Sequence, residues 1–317
     1  MAVSVFLVAL WYIFGTIGNI QSKKFLSVFP SPLMLTLGQY CAGVILSSSV
    51  ILLLGQASSS PAEDKSQPIM KGRSQSILLL VCLLNGVGHL MTNLSLGAVA
   101  VSFTQTVKAA EPLFAVVISA IVLGSKPSAY MVLSLLPIVI GIGIATTTEL
   151  SYTHLGMLTA MASNLLFSTR NIYSKKLQDA TGLGSWFLCL YLCTSGIVLL
   201  GFFFLINSVI GWPLPQPMES AWLPLLVSSM CHAIGNSVSF LVLERISPLT
   251  HAVGGAMRRI FMIFCAVMWF HTPVSAINII GSVLASFGVL LYSRASLQHR
   301  LSQQRLPSSK KDDFLSL

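Results

Sequence analysis

Apolar residues in this chain come in long runs, and a helix needs about 20 of them to cross a bilayer. Ten such runs follow one another, at 3–21, 33–54, 75–96, 99–123, 129–147, 155–174, 185–207, 221–243, 249–270 and 275–293. Turn chemistry marks the breaks, as in Gly124-Ser125-Lys126-Pro127 and His271-Thr272-Pro273. Only Gly97 separates the third run from the fourth. The Ser/Pro/charged stretch 55–74 reads as a loop, and 294–317 reads as a polar, disordered tail. The first run carries neither a basic n-region nor an Arg/Ser-rich transit segment, so it reads as a first transmembrane helix. The pattern predicts an all-α membrane protein with ten transmembrane helices.

The runs repeat. "SFTQTV" (102–107) and "PLTHAV" (248–253) lie 146 residues apart, and Pro127 and Pro273 share that spacing. Span four therefore matches span nine, and the unit is five helices: residues 1–150, then residues 151–293. An odd number of crossings inverts the second copy. That is the inverted repeat of secondary transporters, whose substrate sits near the midplane between the halves.

Composition agrees with a bilayer. Of 317 residues, 54% are hydrophobic and 9% charged, with mean hydropathy +0.82. A soluble domain averages about 25% charged. The 18 Lys and Arg against 9 Asp and Glu suggest nucleic acid only until they are located. With ten spans, twelve of the 18 fall on one side and only Lys23 and Lys24 on the other, which puts both termini in the cytosol. Lys108, Arg170, Arg258 and Arg259 remain, all inside spans.

A central arginine costs a membrane helix about 2.5–3.5 kcal/mol on insertion scales, so an intramembrane charge asks for a function. In span nine, His251, Gly255 and Arg258 share a face, with Arg259 about 100° round. Gly254 and Gly255 remove bulk beside the arginines, leaving room for a ligand. In span four, Thr104, Lys108 and Glu111 form a stripe; in span three, Asn85, His89 and Thr92 do. The bland reading of Lys108 is an ion pair with Glu111 one turn on. No acid accompanies Arg258 and Arg259 within their span, and Glu244 is expected to pair with Arg245. A surplus of cations fits an anion that arrives and leaves. Arginine's fork matches phosphate, lysine adds a point charge, and each charge pair is worth about 4 kcal/mol at an effective dielectric near 20.

Other features read as packing. All six cysteines lie in apolar segments and suit buried positions. The sequon Asn93-Leu94-Ser95 is inside a span, and Gly141 and Gly143 suit helix–helix contact. His154, His232, His271 and His299 have no ligand spacing, so no metal or cofactor site is expected. Arg170, near the end of span six, either snorkels or guards an entrance. No carboxylate pair or Ser/His arrangement shares a face, which argues against an enzyme; the spans and repeat argue against a receptor.

"AVAVSFTQTVKAAEPLF", "RNIYSKKL" and "ERISPLTHAVGGAMRRI" together resemble the triose-phosphate/phosphate translocator family of the drug/metabolite transporter superfamily. "NLSLGAVAVSFT" and the last span are most similar to its phosphoenolpyruvate members. The resemblance implies ten helices in two inverted five-helix halves. It also implies antiport of a phosphorylated C3–C6 metabolite against inorganic phosphate. By motif it implies substrate binding at His89, Thr92, Lys108, Arg258 and Arg259. Arg258 stands where a lysine is usual, Gln105 where plastid members commonly have His, and Gly235 where a tyrosine is expected. The expected partners are small phosphorylated anions and the lipid bilayer, with no nucleic acid, and the expected state is a monomer or weak homodimer. A nucleotide-sugar antiporter of the same superfamily is the alternative. The plastid envelope and the Golgi or endoplasmic reticulum membrane both stay open.

Overall fold

A computed structural model describes residues 2–57, 72–124, 127–210, 219–270 and 275–304. Helix is the only regular structure among them. The order is α1 (Ala2–Val28), α2 (Pro32–Ala57), α3 (Gly72–Ala98), α4 (Val101–Lys108), α5 (Glu111–Leu123), α6 (Ala129–Leu133), α7 (Leu136–Thr147), α8 (His154–Thr181), α9 (Ser185–Ile210), α10 (Glu219–Arg245), α11 (Pro248–Phe270) and α12 (Ala276–Gln304). Eight segments among the described residues are long and apolar enough to cross a membrane; α4–α5 together make one of them, and α6–α7 another. Helices α1 and α8 are 27 and 28 residues long, as long as the other unbroken helices, and α8 is the most polar of the long helices. Most of the polar side chains of α8 turn inward: Ser163, Asn164, Ser168, Arg170, Asn171 and Ser174 are all buried.

Local chemistry sets the ends. Ser31 and Thr153 accept the N–H groups of Met34 and Gly156, capping α2 and α8. Gly124 and Gly182 stop α5 and α8 at φ 62° and 67°, a conformation glycine adopts without a Cβ penalty. Spans four and five are each broken in two. Pro112 and Pro137 stand second in α5 and α7, where each lacks the N–H that would reach a carbonyl four residues back. Around Ala109 and Ala110 the ladder tightens to three-residue steps instead.

The usual inside and outside are reversed. Ile121, Val198, Leu205, Leu223 and Val283 are each more than 60% exposed, while Asn85, Thr104, Ser163 and Asn164 are fully buried. Lipid solvates the first set; the second must find partners inside. The helices pair α1 with α10, α3 with α8, α2 with α9, α7 with α12, and α4 and α5 with α11. A core of Phe103, Val107, Met131, Ile138 and Tyr292 fills the space between α4, α6, α7 and α12. A second, around Phe25, Phe29, Leu35, Leu96 and Leu225, closes the bundle at the C-terminal end of α1.

Several expectations need correction. Helix α12 runs to Gln304, so residues 294–304 are ordered helix; Leu, Gln, Arg and Ala sustain it, and no Gly or Pro interrupts. Cys41 is exposed and Cys265 intermediate, while the other four cysteines are buried. Gly143 meets nothing within 4 Å, whereas Gly141 abuts the backbone of α12. Glu244 accepts from Ser185 rather than from Arg245, and its carbonyl takes Lys175. The expected breaks at 271–273 and most of the loop 55–74 lie outside the described residues.

Candidate functional site

The kink in span four decides how its charges are used. Lys108 ends α4 and Glu111 opens α5, so Ala109 and Ala110 rotate one away from the other. Lys108 donates instead to Thr92 Oγ1 at 2.9 Å and Ser163 Oγ at 2.7 Å, with its ammonium 4.8 Å from the Phe167 ring centre. Glu111 forms an ion pair with Arg259 of α11. The expected Lys108–Glu111 pair is therefore absent, and Arg259 has the acid that its own span lacks. Its other amino group reaches Gln105 Oε1 at 3.5 Å, and Gln105 is held by Asn19 at 3.0 Å.

Arg258 is different. It lies over the Trp11 ring at 4.9 Å, and its guanidinium has no hydrogen-bond acceptor among the described residues. It rests in the space that a side chain at Gly15 would fill. Gly15 is thus the seat of this arginine. Gly254 and Gly255 do not hold space for a ligand: a Cβ there would meet Trp11 at 3.4 Å and the Glu111 carboxylate at 3.1 Å.

These groups line one cavity of about 120 Å³, bounded by the middle of α1, α8 and α10, the second half of α3, the kink of α4–α5, and the first half of α11. At about 30 Å³ per water, it is a small-solute cavity. All five residues singled out by motif (His89, Thr92, Lys108, Arg258 and Arg259) lie on its wall.

Three neighbours join them, and of these the sequence passed over His232. Arg170 is buried, donating to Asn85 at 2.8 Å and Asn171 at 2.7 Å, and sandwiched by the Phe167 and Phe240 rings at 4.5 and 4.9 Å. It neither snorkels nor sits at a rim, because α8 continues to Thr181, about three turns past it. The cost of an intramembrane arginine did mark it in the sequence, but span six, drawn only to residue 174, placed it near a helix end. His251 stacks on Trp11 at 4.7 Å and bonds Ser239 at 2.8 Å. His232 meets His89 at 4.5 Å between ring centres, and no sequence spacing links those two helices.

A family model described as "Triose-phosphate Transporter family" matches residues 2–293. The chain belongs to the triose-phosphate transporter family. It is 37% identical to phosphoenolpyruvate/phosphate translocator 1 of Oryza sativa subsp. japonica, a chloroplastic protein, over 91% of this chain and 70% of that one. It is 36% identical to the chloroplastic xylulose 5-phosphate/phosphate translocator of Arabidopsis thaliana, over 92% and 70%. It is 34% identical to the triose phosphate/phosphate translocator of non-green plastids of Brassica oleracea var. botrytis, over 91% and 71%. A crystal structure with 14% identity shares the fold at TM-score 0.64, covering 97% of this chain and 98% of that one. Membership makes this a chain of a transporter family, not of an enzyme family. All three positions where it departs from the resemblance, Gln105, Gly235 and Arg258, are on the cavity wall.

Proposed function

We propose that this member of the triose-phosphate transporter family is a secondary antiporter exchanging a phosphorylated C3–C6 metabolite for inorganic phosphate by alternating access. Arg258, Lys108 and Arg259 take the phosphate, and His89 and Thr92 stand beside the rest of the substrate. The observation that carries this is Arg258: a half-buried guanidinium without an acceptor among the described residues, beside two further cations, in a cavity within the bundle. Such a charge is costly unless an anion completes it. The named relatives are phosphate translocators, which does not favour the nucleotide-sugar alternative.

The proposal includes ten spans in two inverted five-helix repeats, with the termini in the cytosol and the protein in a plastid membrane. Helix lengths support ten spans, since α1 and α8 match the other eight segments. Helix pairings support the repeat. Exchanging α1, α2, α3, α4–α5 and α6–α7 with α8 to α12 turns the α1–α10 pair into the α8–α3 pair. The same exchange maps α2–α9 and α7–α12 onto themselves. The chloroplastic relatives support the location. Cysteines introduced at Ser59 and Ser308 should label from the same face; labelling from opposite faces would refute the orientation.

The mechanism follows from charge. Closing around an empty cavity leaves Arg258 and Lys108 without an anion in a low dielectric, at several kcal/mol per ion. A bound phosphate dianion removes that cost, so the loaded carrier crosses between states and the empty one does not. Labelled phosphate uptake into liposomes should therefore need an internal phosphorylated substrate. Equal initial rates in empty and preloaded vesicles would sink this reading, and exchange against nucleoside monophosphate alone would favour the nucleotide-sugar carrier.

A further inference from the structure

Hydrogen bonds divide the cavity wall into groups that are already engaged and groups that are not. Arg170 is engaged by Asn85 and Asn171, Arg259 by Glu111 and Gln105, and Lys108 by Thr92 and Ser163. Arg258 is the one guanidinium on the wall without an acceptor among the described residues. The remaining open groups are not anion binders by charge. His89 is 8% exposed and its Nε2 has no partner; the Nε2 of His232 has none either. The two rings meet edge to face, 78° apart at 4.5 Å, with His89 held by Tyr40 and Phe167 on its other sides. Asn236, one turn beyond His232, lines the same cavity with no hydrogen bond among the described residues. Between them Gly235 presents no side chain, and a Cβ there would already touch the α1 backbone at 3.5 Å.

Two imidazoles and a carboxamide can each donate or accept, which is what a carbon chain bearing hydroxyls requires. A carboxylate calls for a cation beyond the three assigned to the phosphate, and the fourth on the wall, Arg170, is held by Asn85 and Asn171 between the Phe167 and Phe240 rings. We infer that His89 and His232, with Asn236, form a subsite for the hydroxyls of the substrate. The chain then prefers a polyhydroxylated sugar phosphate to a phosphorylated carboxylic acid. The inference rests on the reading above that this cavity takes a phosphorylated anion. His232 and Asn236 are its new binding residues.

The test is competition in proteoliposomes loaded with phosphate and taking up labelled phosphate. Pentose and hexose phosphates should inhibit at concentrations about tenfold below phosphoenolpyruvate, the worth of one net hydrogen bond. Phosphoenolpyruvate competing as well as the sugar phosphates would overturn the inference while leaving the transport reading intact. Absence of phosphate counterflow in the unmodified protein would defeat the transport reading, and the inference with it. His232→Ala should raise the KM for a sugar phosphate about tenfold more than the KM for phosphate, and His232→Asn should recover part of that. Equal rises in both KM values would make His232 structural and overturn its assignment. Should His232→Ala fail to fold, Asn236→Ala gives the same readout, because that amide makes no hydrogen bond among the described residues.

Discussion

Helices α7 and α12 meet through glycine, while α4, α5 and α11 meet through charge. In the first pair a Cβ at Gly281 would lie 2.7 Å from the backbone of α7, and one at Gly288 2.7 Å from Ile138. Backbones approach this closely where small residues let van der Waals contact replace the missing hydrophobic drive between helices in lipid. The second contact holds Lys108, Glu111 and Arg259, all at most 4% exposed, plus the open Arg258. Both contacts involve spans broken by a proline. The difference is that the glycine contact is filled by backbone against backbone, whereas the charged one sets the three cations Lys108, Arg258 and Arg259 against the single carboxylate of Glu111. The glycine pair is therefore read as scaffold, and the charged cluster as the place where the proposed substrate acts.

That contrast can be broken by experiment. Arg259→Ala strands Glu111 as a buried unpaired carboxylate, so we expect a loss of about 3–5 kcal/mol, read as a large drop in Tm in detergent. The double variant Arg259→Met with Glu111→Leu should restore folding and still lack phosphate exchange. If Arg259→Ala keeps its Tm, the ion pair does not hold the bundle.

On the scaffold side, Gly281→Leu should cost about 1–3 kcal/mol by overpacking. The KM for phosphate of the protein that survives should not move, and a shifted KM would put the α7–α12 contact inside the working part. Arg258→Lys keeps charge and loses the fork, so phosphate affinity should fall by about 1–2 kcal/mol with Tm unchanged. A fall in Tm would mean that Arg258 is a packing residue after all. The smallest effect is expected at Gly143, where a Cβ meets nothing within 4 Å. Gly143→Ala should stabilise α7 by about 0.5–1 kcal/mol through backbone entropy, against the loss at Gly281. A destabilised Gly143→Ala variant would show that α7 needs both glycines.

The helices and the four intramembrane cations could be read directly from residue order, because helical period and the cost of leaving water are local properties. Lys108, Arg258 and Arg259 stood out for that reason, and they do line one cavity. The partners could not be read. Glu111 lies three residues from Lys108 and 148 from Arg259, yet pairs with the distant one. Pro112 turns the short-range contact aside, and only the approach of α11 decides what replaces it. Arg170 looked terminal because its helix outlasts its apolar run. His232 was passed over because its partner, His89, is on another helix. What this sequence determined is which groups must be kept from lipid. Which of them are spent on each other, and which are left for a substrate, depended on contacts between helices far apart in the chain, where no spacing along one helix carries the information.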